Sequence, residues 1–219
     1  VLVESLPEFV HPKHFRYSNS PKIEIAIGLE SSNPVVLDKS VNKRLRWPHF
    51  VKVCKTAHEN GAEVKAYVLL KPPYLGERDA IEDAVQSATD AAPYVDKISI
   101  NPVNVQKNTV VEKLWFRNEW TAPWLWSVVE VLERCKDLPA KVYSDPTGGG
   151  TRRGAHNCND CNGQILDALK EHRLGHGNLK GLECECRSRW EVLKHQSSYR
   201  RNGAEPHGYR RGFGNGRRF

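Results

Sequence analysis

Hydrophobic residues recur with two different periods along residues 1–146, and they divide this part of the chain into alternating strands and helices. The segment AEVKAYVLL at 62–70 is a compact apolar run ended by Lys71-Pro72-Pro73, which is typical of a buried strand. Four further apolar segments predict strands over 1–5, 22–31, 96–105 and 140–144.

Between these strands, apolar residues recur every three or four positions, which predicts helices. Phe50, Val53, Cys54 and Ala57 follow this spacing within 48–60, and the Asn-Gly pair at 60–61 ends the helix. The same spacing predicts helices over 77–92 and 124–135, and a short amphipathic helix at 164–172.

Strand and helix alternate four times, and this order predicts parallel strands joined by right-handed crossovers. A complete eightfold barrel needs about 250 residues. We therefore expect an α/β fold over 1–146, forming half of a barrel or an open sheet. A cysteine-containing module at 147–198 and a disordered Gly/Arg-rich tail at 199–219 follow. The chain has no methionine and begins VLVES, so we expect a fragment; a processed terminus is the alternative.

The net charge of +7 is concentrated at the C-terminal end, where residues 200–219 hold six arginines against one glutamate. Such a patch, interleaved with aromatic residues, indicates RNA binding through phosphate contacts and stacking. A solvated terminus is the alternative. The sequence has no apolar run of membrane-spanning length and no secretory signal, which favours a cytoplasmic protein. The predicted RNA-binding residues are Arg152, Arg153, Arg210, Arg211, Arg217 and Arg218.

Four of the six cysteines form two pairs, Cys158-x-x-Cys161 and Cys184-x-Cys186. Two chelating pairs can close a tetrahedron of thiolates around one structural zinc ion. An iron–sulfur cluster and incidental or redox cysteines are the alternatives. A nearby His156 is a substitute ligand or an outer neighbour. The two other cysteines, at positions 54 and 135, lie on apolar helix faces and are predicted to be packing residues.

Polar residues follow the predicted strands, at the edge of the sheet where parallel α/β folds carry their chemistry. Each of them alone is an ordinary cap or strand terminator, and their significance comes from their occurring together. A tryptophan cluster at 115, 120, 124 and 126 is most simply core and loop packing, with a substrate wall as the minor alternative.

The segments VESLPEFV, IEIAIGLESSNPVV and ISINPVNVQKNTVVEKLWF, together with the paired cysteines, resemble the second half of a radical SAM enzyme. Within that superfamily the chain is similar to the archaeosine-biosynthesis family called RaSEA, and more distantly to Elongator-type and methylthiotransferase enzymes. The resemblance covers roughly residues 1–192.

This resemblance implies a partial (β/α) barrel that holds a [4Fe–4S] cluster and S-adenosylmethionine. It implies a lyase that cleaves the lysine adduct on a 7-deazaguanine base of archaeal tRNA, leaving archaeosine, and a partner that is the lysine-transferring archaeosine synthase subunit. The implied cofactor contacts are Glu4, Ser5, Glu30 and Ser31. The implied catalytic or substrate-side residues are Lys71, Asn101, Asn104 and Gln106.

Two features depart from the family pattern. The radical SAM signature CxxxCxxC does not occur in the sequence, so we expect this chain alone to be inactive. Leu6 occupies a position where relatives commonly carry arginine, which weakens any specific contact there. A non-catalytic zinc-ribbon RNA-binding protein and another radical SAM tRNA-modifying enzyme are the alternative functions.

Overall fold

A single parallel sheet forms the centre of the protein, whose computed structural model describes residues 1–15 and 23–199. Its five strands lie side by side in the order of the sequence, and every neighbouring pair is parallel. This confirms the predicted α/β class. The strands are β1 (Leu2–Glu4), β2 (Glu24–Glu30), β3 (Glu63–Leu70), β4 (Lys97–Pro102) and β5 (Lys141–Ser144).

Helices connect the strands as the sequence predicts, and three elements were not predicted. The helices are α1 (Pro34–Val36), α2 (Trp47–Glu59), α3 (Glu77–Ala91), α4 (Val110–Phe116), α5 (Leu125–Arg134), α6 (Asn162–Leu174) and α7 (Cys186–Tyr199). Sequence periodicity indicated α2, α3, α5 and α6, but it did not indicate α1, α4 or α7. None of the helices among the described residues is long and apolar enough to cross a membrane.

The sheet has one apolar face and one polar face. Along β3 buried and half-buried residues alternate, because successive side chains of a strand point to opposite sides. Val64, Ala66 and Val68 are buried in one core with residues of α2, α3 and α5. The opposite face, here called the polar face, carries Glu63, Lys65, Tyr67 and their neighbours on β2, β4 and β5. The helix layer thus leaves polar and charged side chains on the other side of the sheet.

A buried carboxylate, that of Glu77, ties the end of β3 to the helix layer. Glu77 lies at the start of α3 and is 5% exposed. Its carboxylate accepts hydrogen bonds from Ser127 Oγ at 2.5 Å and from Trp124 N at 2.9 Å, and it pairs with Lys71 Nζ at 2.5 Å. The N-terminus of a helix favours a negative charge, so the buried carboxylate is compensated on several sides.

The C-terminal helices share the core of the sheet. Ile165 and Leu169 of α6 and Trp190 of α7 belong to the same buried cluster as the strands. Trp190 is 2% exposed, and its indole N–H donates to Ser127 Oγ at 2.9 Å. The predicted boundary at residues 146–147 falls just after β5, yet apolar contact continues across it.

The remaining cysteines and most of the tryptophans act as packing residues. Cys54 and Cys135 are at most 1% exposed within the main core, as their positions on helix faces predict. Trp126 is also buried there. Trp120 anchors a smaller cluster with Val105, against which α4 packs. These aromatic side chains thus belong to the packing of the fold.

Replacing Trp190 with alanine tests whether the C-terminal helices are part of one folding unit. We expect Trp190→Ala to lower the free energy of unfolding by about 3–5 kcal/mol, because it leaves a large cavity in a shared core. Urea denaturation followed by circular dichroism should show a single transition at lower urea. Val192→Ala, on the exposed side of the same helix, is the control and should change little. A separate early transition that leaves the sheet unaffected would contradict a shared core.

Candidate metal centre and sheet rim

Four cysteine sulfurs converge between the N-terminal ends of α6 and α7. The Sγ atoms of Cys158, Cys161, Cys184 and Cys186 all lie within 4.8 Å of one another, and all four thiols are free. Cys158 lies 3.5 Å from Cys161 and 3.4 Å from Cys184, and Cys161 lies 3.6 Å from Cys186. The structure therefore brings the two predicted pairs together in one group.

Local structure explains how each pair reaches the group. Cys158 and Cys161 flank a tight turn, and the helix α6 begins directly after it. Cys186 is the first residue of α7, so the second pair enters at a helix start as well. His156 does not join the group: its ring Nδ1 lies 2.9 Å from Gly154 O.

Neighbouring N–H groups point at the sulfurs. The indole of Trp126 donates to Cys186 Sγ at 3.2 Å, and the amide of Asn157 donates to Cys161 Sγ at 3.6 Å. Asn157 is itself fixed by Asn162, whose side-chain oxygen accepts from the Asn157 N–H at 2.7 Å. Such outer hydrogen bonds orient metal ligands and stabilise negative charge on sulfur.

The pKa values of Cys158 and Cys161 are shifted in opposite directions. Burial raises the pKa of Cys161. At Cys158 burial is outweighed by hydrogen bonds from the Cys161 backbone and from neighbouring thiols, which lower its pKa to about 7. Ionising several thiols at such short distances requires a compensating positive charge.

The spacing of the sulfurs fits one metal ion. Zinc–sulfur bonds of about 2.3 Å in a tetrahedron separate the sulfurs by roughly 3.8 Å, close to the observed distances. A [4Fe–4S] cluster binds each thiolate through a different iron at a separate corner of a cube, so its cysteine sulfurs lie farther apart. The quartet is thus a candidate site for a single ion with no open coordination position.

The polar face of the sheet carries a network of charged residues that the sequence analysis did not identify. Lys97 bonds to Glu63 at 2.9 Å and also to Glu24. Lys65 lies 4.9 Å from the ring centre of Tyr67 and 5.5 Å from that of Tyr143. The polar residues at every second position of β3 are the signal that could have revealed this face.

The predicted cofactor contacts divide between the two sides of the sheet. Glu4 accepts a hydrogen bond from Tyr67 at 2.7 Å, and Glu30 pairs with Lys43 at 2.9 Å, which places both carboxylates on the polar face. The Ser5 hydroxyl donates to the adjacent carbonyl oxygen of Leu6 at 3.0 Å, and the Ser5 backbone N–H donates to Ala26 O at 3.0 Å. Ser31 is fully buried and donates to Asp83 of α3 at 3.0 Å, which directs its side chain to the helix layer.

Asp83 is a partly buried acid next to Ser31. Burial outweighs the hydrogen bond from Ser31 and raises the pKa of Asp83 to about 6. Its second oxygen has no hydrogen-bond partner among the described residues. The pair joins the end of β2 to α3 and lies behind the sheet rather than on the polar face.

The predicted substrate-side residues are also divided. Lys71 has a positive φ of 61°, and its side chain is 7% exposed, bonded to Glu77 and to Thr121. Asn101 accepts from Ser99 at 2.8 Å on the polar face. Asn104 donates to Thr147 O at 3.2 Å and accepts from the exposed Gln106 at 2.7 Å. The three amide residues therefore lie at the strand ends, whereas the side chain of Lys71 is bonded within the helix layer.

The predicted RNA-binding arginines have different surroundings. Arg152 is exposed. Arg153 binds Val105 O at 3.0 Å and Glu112 at 2.5 Å, and its guanidinium lies 5.1 Å from the Trp115 ring centre. It thus holds α4 in place. The four remaining arginines lie outside the described residues, at positions 210, 211, 217 and 218.

No protein-family model matches the chain. Three curated relatives match it. It is 41% identical over 204 residues to archaeosine synthase subunit beta of Methanosarcina acetivorans, and 44% identical over 196 residues to the protein of that name in Thermococcus kodakarensis. It is 32% identical over 201 residues to an uncharacterised protein of Methanocaldococcus jannaschii. The matches cover 87–88% of the chain but only 58%, 58% and 55% of the respective relatives.

Among solved structures, the chain is similar to Elp3 of Methanocaldococcus infernus with an N-terminal deletion. The TM-score is 0.56 at 16% identity, over 84% of this chain and 43% of that protein. The chain is therefore a homologue of the archaeosine synthase subunit beta proteins over most of its own length, and it has an α/β fold like that of Elp3.

Proposed function

We propose that this chain is the C-terminal part of a cytoplasmic radical SAM lyase that completes archaeosine in tRNA by cleaving a lysine adduct on the 7-deazaguanine base. The observation that carries the proposal is the 44% identity to an archaeosine synthase subunit beta over 87% of the chain. The polar face supports it, because a parallel sheet with helices on one side offers its other side to a ligand.

The residues of the polar face fit S-adenosylmethionine. Glu4 and Glu30 end adjacent strands and both carry carboxylates on that face. Carboxylates accept hydrogen bonds from hydroxyl and ammonium groups, and the cofactor carries both. Ser5 lies beside them at the same end of β1. When bound, the cofactor with its cluster supplies the radical chemistry that removes hydrogen from the substrate.

The cluster itself does not fit the residues of this chain. The cysteine quartet is too tight for a [4Fe–4S] cube, and the sequence holds no CxxxCxxC. We therefore place zinc in the quartet, with Cys158, Cys161, Cys184 and Cys186 as its ligands. This chain alone is then inactive, and it acts within a larger protein that supplies the cluster.

The strand-end amides are the proposed substrate-side groups. Asn101, Asn104 and Gln106 lie where the substrate base would approach the sheet, and amides can both donate to and accept from a base. Ser31 and Lys71 are proposed to position the strand ends through α3. The partners are tRNA and the lysine-transferring archaeosine synthase subunit.

Zinc content tests the role of the quartet. We expect one zinc ion per chain in freshly purified protein, and Cys184→Ser should reduce the content to near zero, because three thiolates hold the ion poorly. Elemental analysis measures the content, and cobalt substitution should give a thiolate charge-transfer band. Cys54→Ala, which removes a buried thiol from α2, is the matched control and should keep its zinc. Iron in place of zinc would refute this assignment.

Turnover by the full-length protein that contains this chain tests the activity. With reconstituted cluster, S-adenosylmethionine and tRNA bearing the lysine adduct, we expect archaeosine in nuclease digests analysed by mass spectrometry. Asn101→Ala should lower kcat by about tenfold to a hundredfold, because it loosens the geometry of the substrate. The Kd for tRNA should be nearly unchanged. Thr89→Ala, on the exposed side of α3, is the control. Absence of archaeosine with the wild-type protein would refute the proposed function.

The Arg-rich tail supplies a separate prediction about RNA affinity. If about five phosphates are contacted, the logarithm of the binding constant should fall with the logarithm of salt at a slope of roughly −3.5 to −4.5. Deleting residues 199–219 should flatten this slope for most RNAs alike, because phosphate contacts carry no sequence information. Filter binding at several salt concentrations measures it. An unchanged slope would exclude the tail from binding.

A further inference from the structure

Helix α4 presents an aromatic and basic side away from the protein. Successive helical residues are rotated by about 100°, so Lys113 and Arg117 share one side and Phe116 lies next to them. Phe116 is 67% exposed, and both cations are exposed as well. The opposite side of the helix packs on the small cluster through Val111, Leu114 and Trp115. We call Lys113, Phe116, Arg117 and the nearby exposed Arg152 the α4 surface.

Side-chain bonds fix α4 rigidly in this orientation. Thr109 caps the helix by accepting from Glu112 N at 3.1 Å. Arg153 binds Glu112 and stacks on Trp115, and its backbone oxygen accepts from Val105 N at 2.7 Å. The exposed ring of Phe116 makes an edge contact with Trp115, at 5.1 Å between ring centres. The α4 surface is therefore preorganised, which lowers the entropic cost of binding.

The α4 surface lies next to the strand ends that carry the proposed substrate-side residues. The chain enters α4 directly from β4 through Asn104 and Gln106, and Asn104 bonds to Thr147 after β5. The helix therefore follows the rim formed by the ends of these two strands. The α4 surface is therefore close in sequence to the strand-end amides Asn104 and Gln106.

The charges on α4 favour an anionic partner. Like charges four residues apart, as in Lys113 and Arg117, destabilise a helix. Glu112, the acid on the helix, is already paired with Arg153. The exposed Glu119 does not balance the three cations of the α4 surface, which therefore keeps a net positive charge. An exposed aromatic ring among cations is the combination that single-stranded nucleic acids bind, by stacking a base and neutralising phosphates.

From this geometry we infer that the α4 surface is an RNA-contact site that holds the nucleotides flanking the modified base at the rim of the polar face. The inference rests on the proposed function, because it takes tRNA as the substrate. Phe116 stacks on an unpaired base, and Lys113, Arg117 and Arg152 contact phosphates. The proposed site does not include the Arg-rich tail, and it determines how the RNA is placed rather than only how tightly it is held.

Binding of tRNA by the full-length protein with substituted α4 residues tests the inference. Phe116→Leu keeps an apolar side chain but removes the ring, and it should weaken binding of tRNA by about tenfold through lost stacking. Lys113→Gln with Arg117→Gln should reduce the salt slope by about 1.4 to 1.8, which corresponds to two phosphates. Lys52→Gln with Lys55→Gln, two exposed lysines of α2, is the matched charge control and should leave the slope unchanged.

The outcomes separate this inference from the proposed function. Unchanged tRNA affinity and salt slope in both α4 variants, with normal archaeosine formation by the wild type, would overturn the inference and leave the function standing. Loss of binding to the lysine-transferring subunit at unchanged tRNA affinity would assign the surface to a protein and also overturn it. Zinc content and circular dichroism equal to those of the wild type establish that each variant is folded. Ultraviolet crosslinking of tRNA to peptide 107–117, reduced by Phe116→Leu, is the expected positive result.

Discussion

The carboxylate of Glu77 is the contact on which the arrangement of the helix layer depends. It joins Lys71 at the end of β3, the backbone of Trp124 before α5, and Ser127, which in turn accepts from Trp190 of α7. Three regions distant in sequence, at 71–77, 124–127 and 190, are thus linked through one buried charge. Removing one partner from such a group leaves an uncompensated charge in the core, which is far more costly than the pair is stabilising. The position of α7, and with it that of Cys186, follows from this contact.

Because the sheet has two faces, the residues that pack the fold together differ from the residues proposed to bind ligands. The residues that hold β2, β3 and β4 on the helices alternate with those of the polar face. Lys97 is balanced there by Glu24 and Glu63, whereas Glu4 and Glu30 lie at the strand ends and are bonded to Tyr67 and Lys43. The strands therefore fix the spacing of the polar groups without using them for packing.

Much of this fold could be predicted from the sequence, because the five strands and the helices α2, α3, α5 and α6 carry clear apolar periodicity. Helix α7 could not, since Trp190 is its single fully buried residue among those described. The capping pattern from Thr109 to Glu112 was a usable signal for α4. Side-chain direction at the strand ends was not predictable: Lys71 adopts a positive φ that turns it to the helix layer, and Ser31 bonds to Asp83 of α3. The grouping of the four cysteines could be predicted from their spacing alone, because two close pairs of thiols readily come together around one centre.

The hydrogen bond from Trp126 to Cys186 bears on the order in which the molecule assembles. Trp126 belongs to α5 and is buried among residues of the sheet core, so its indole reaches the sulfur only after α5 and α7 have docked. Small zinc modules acquire their fold when the ion binds. Here the helices that carry the cysteines pack in the same core as the strands, so the four thiols come together as that core forms. A chain in which α7 has not yet docked on α5 would hold its cysteines apart, and its thiols would then be the ones most open to oxidation.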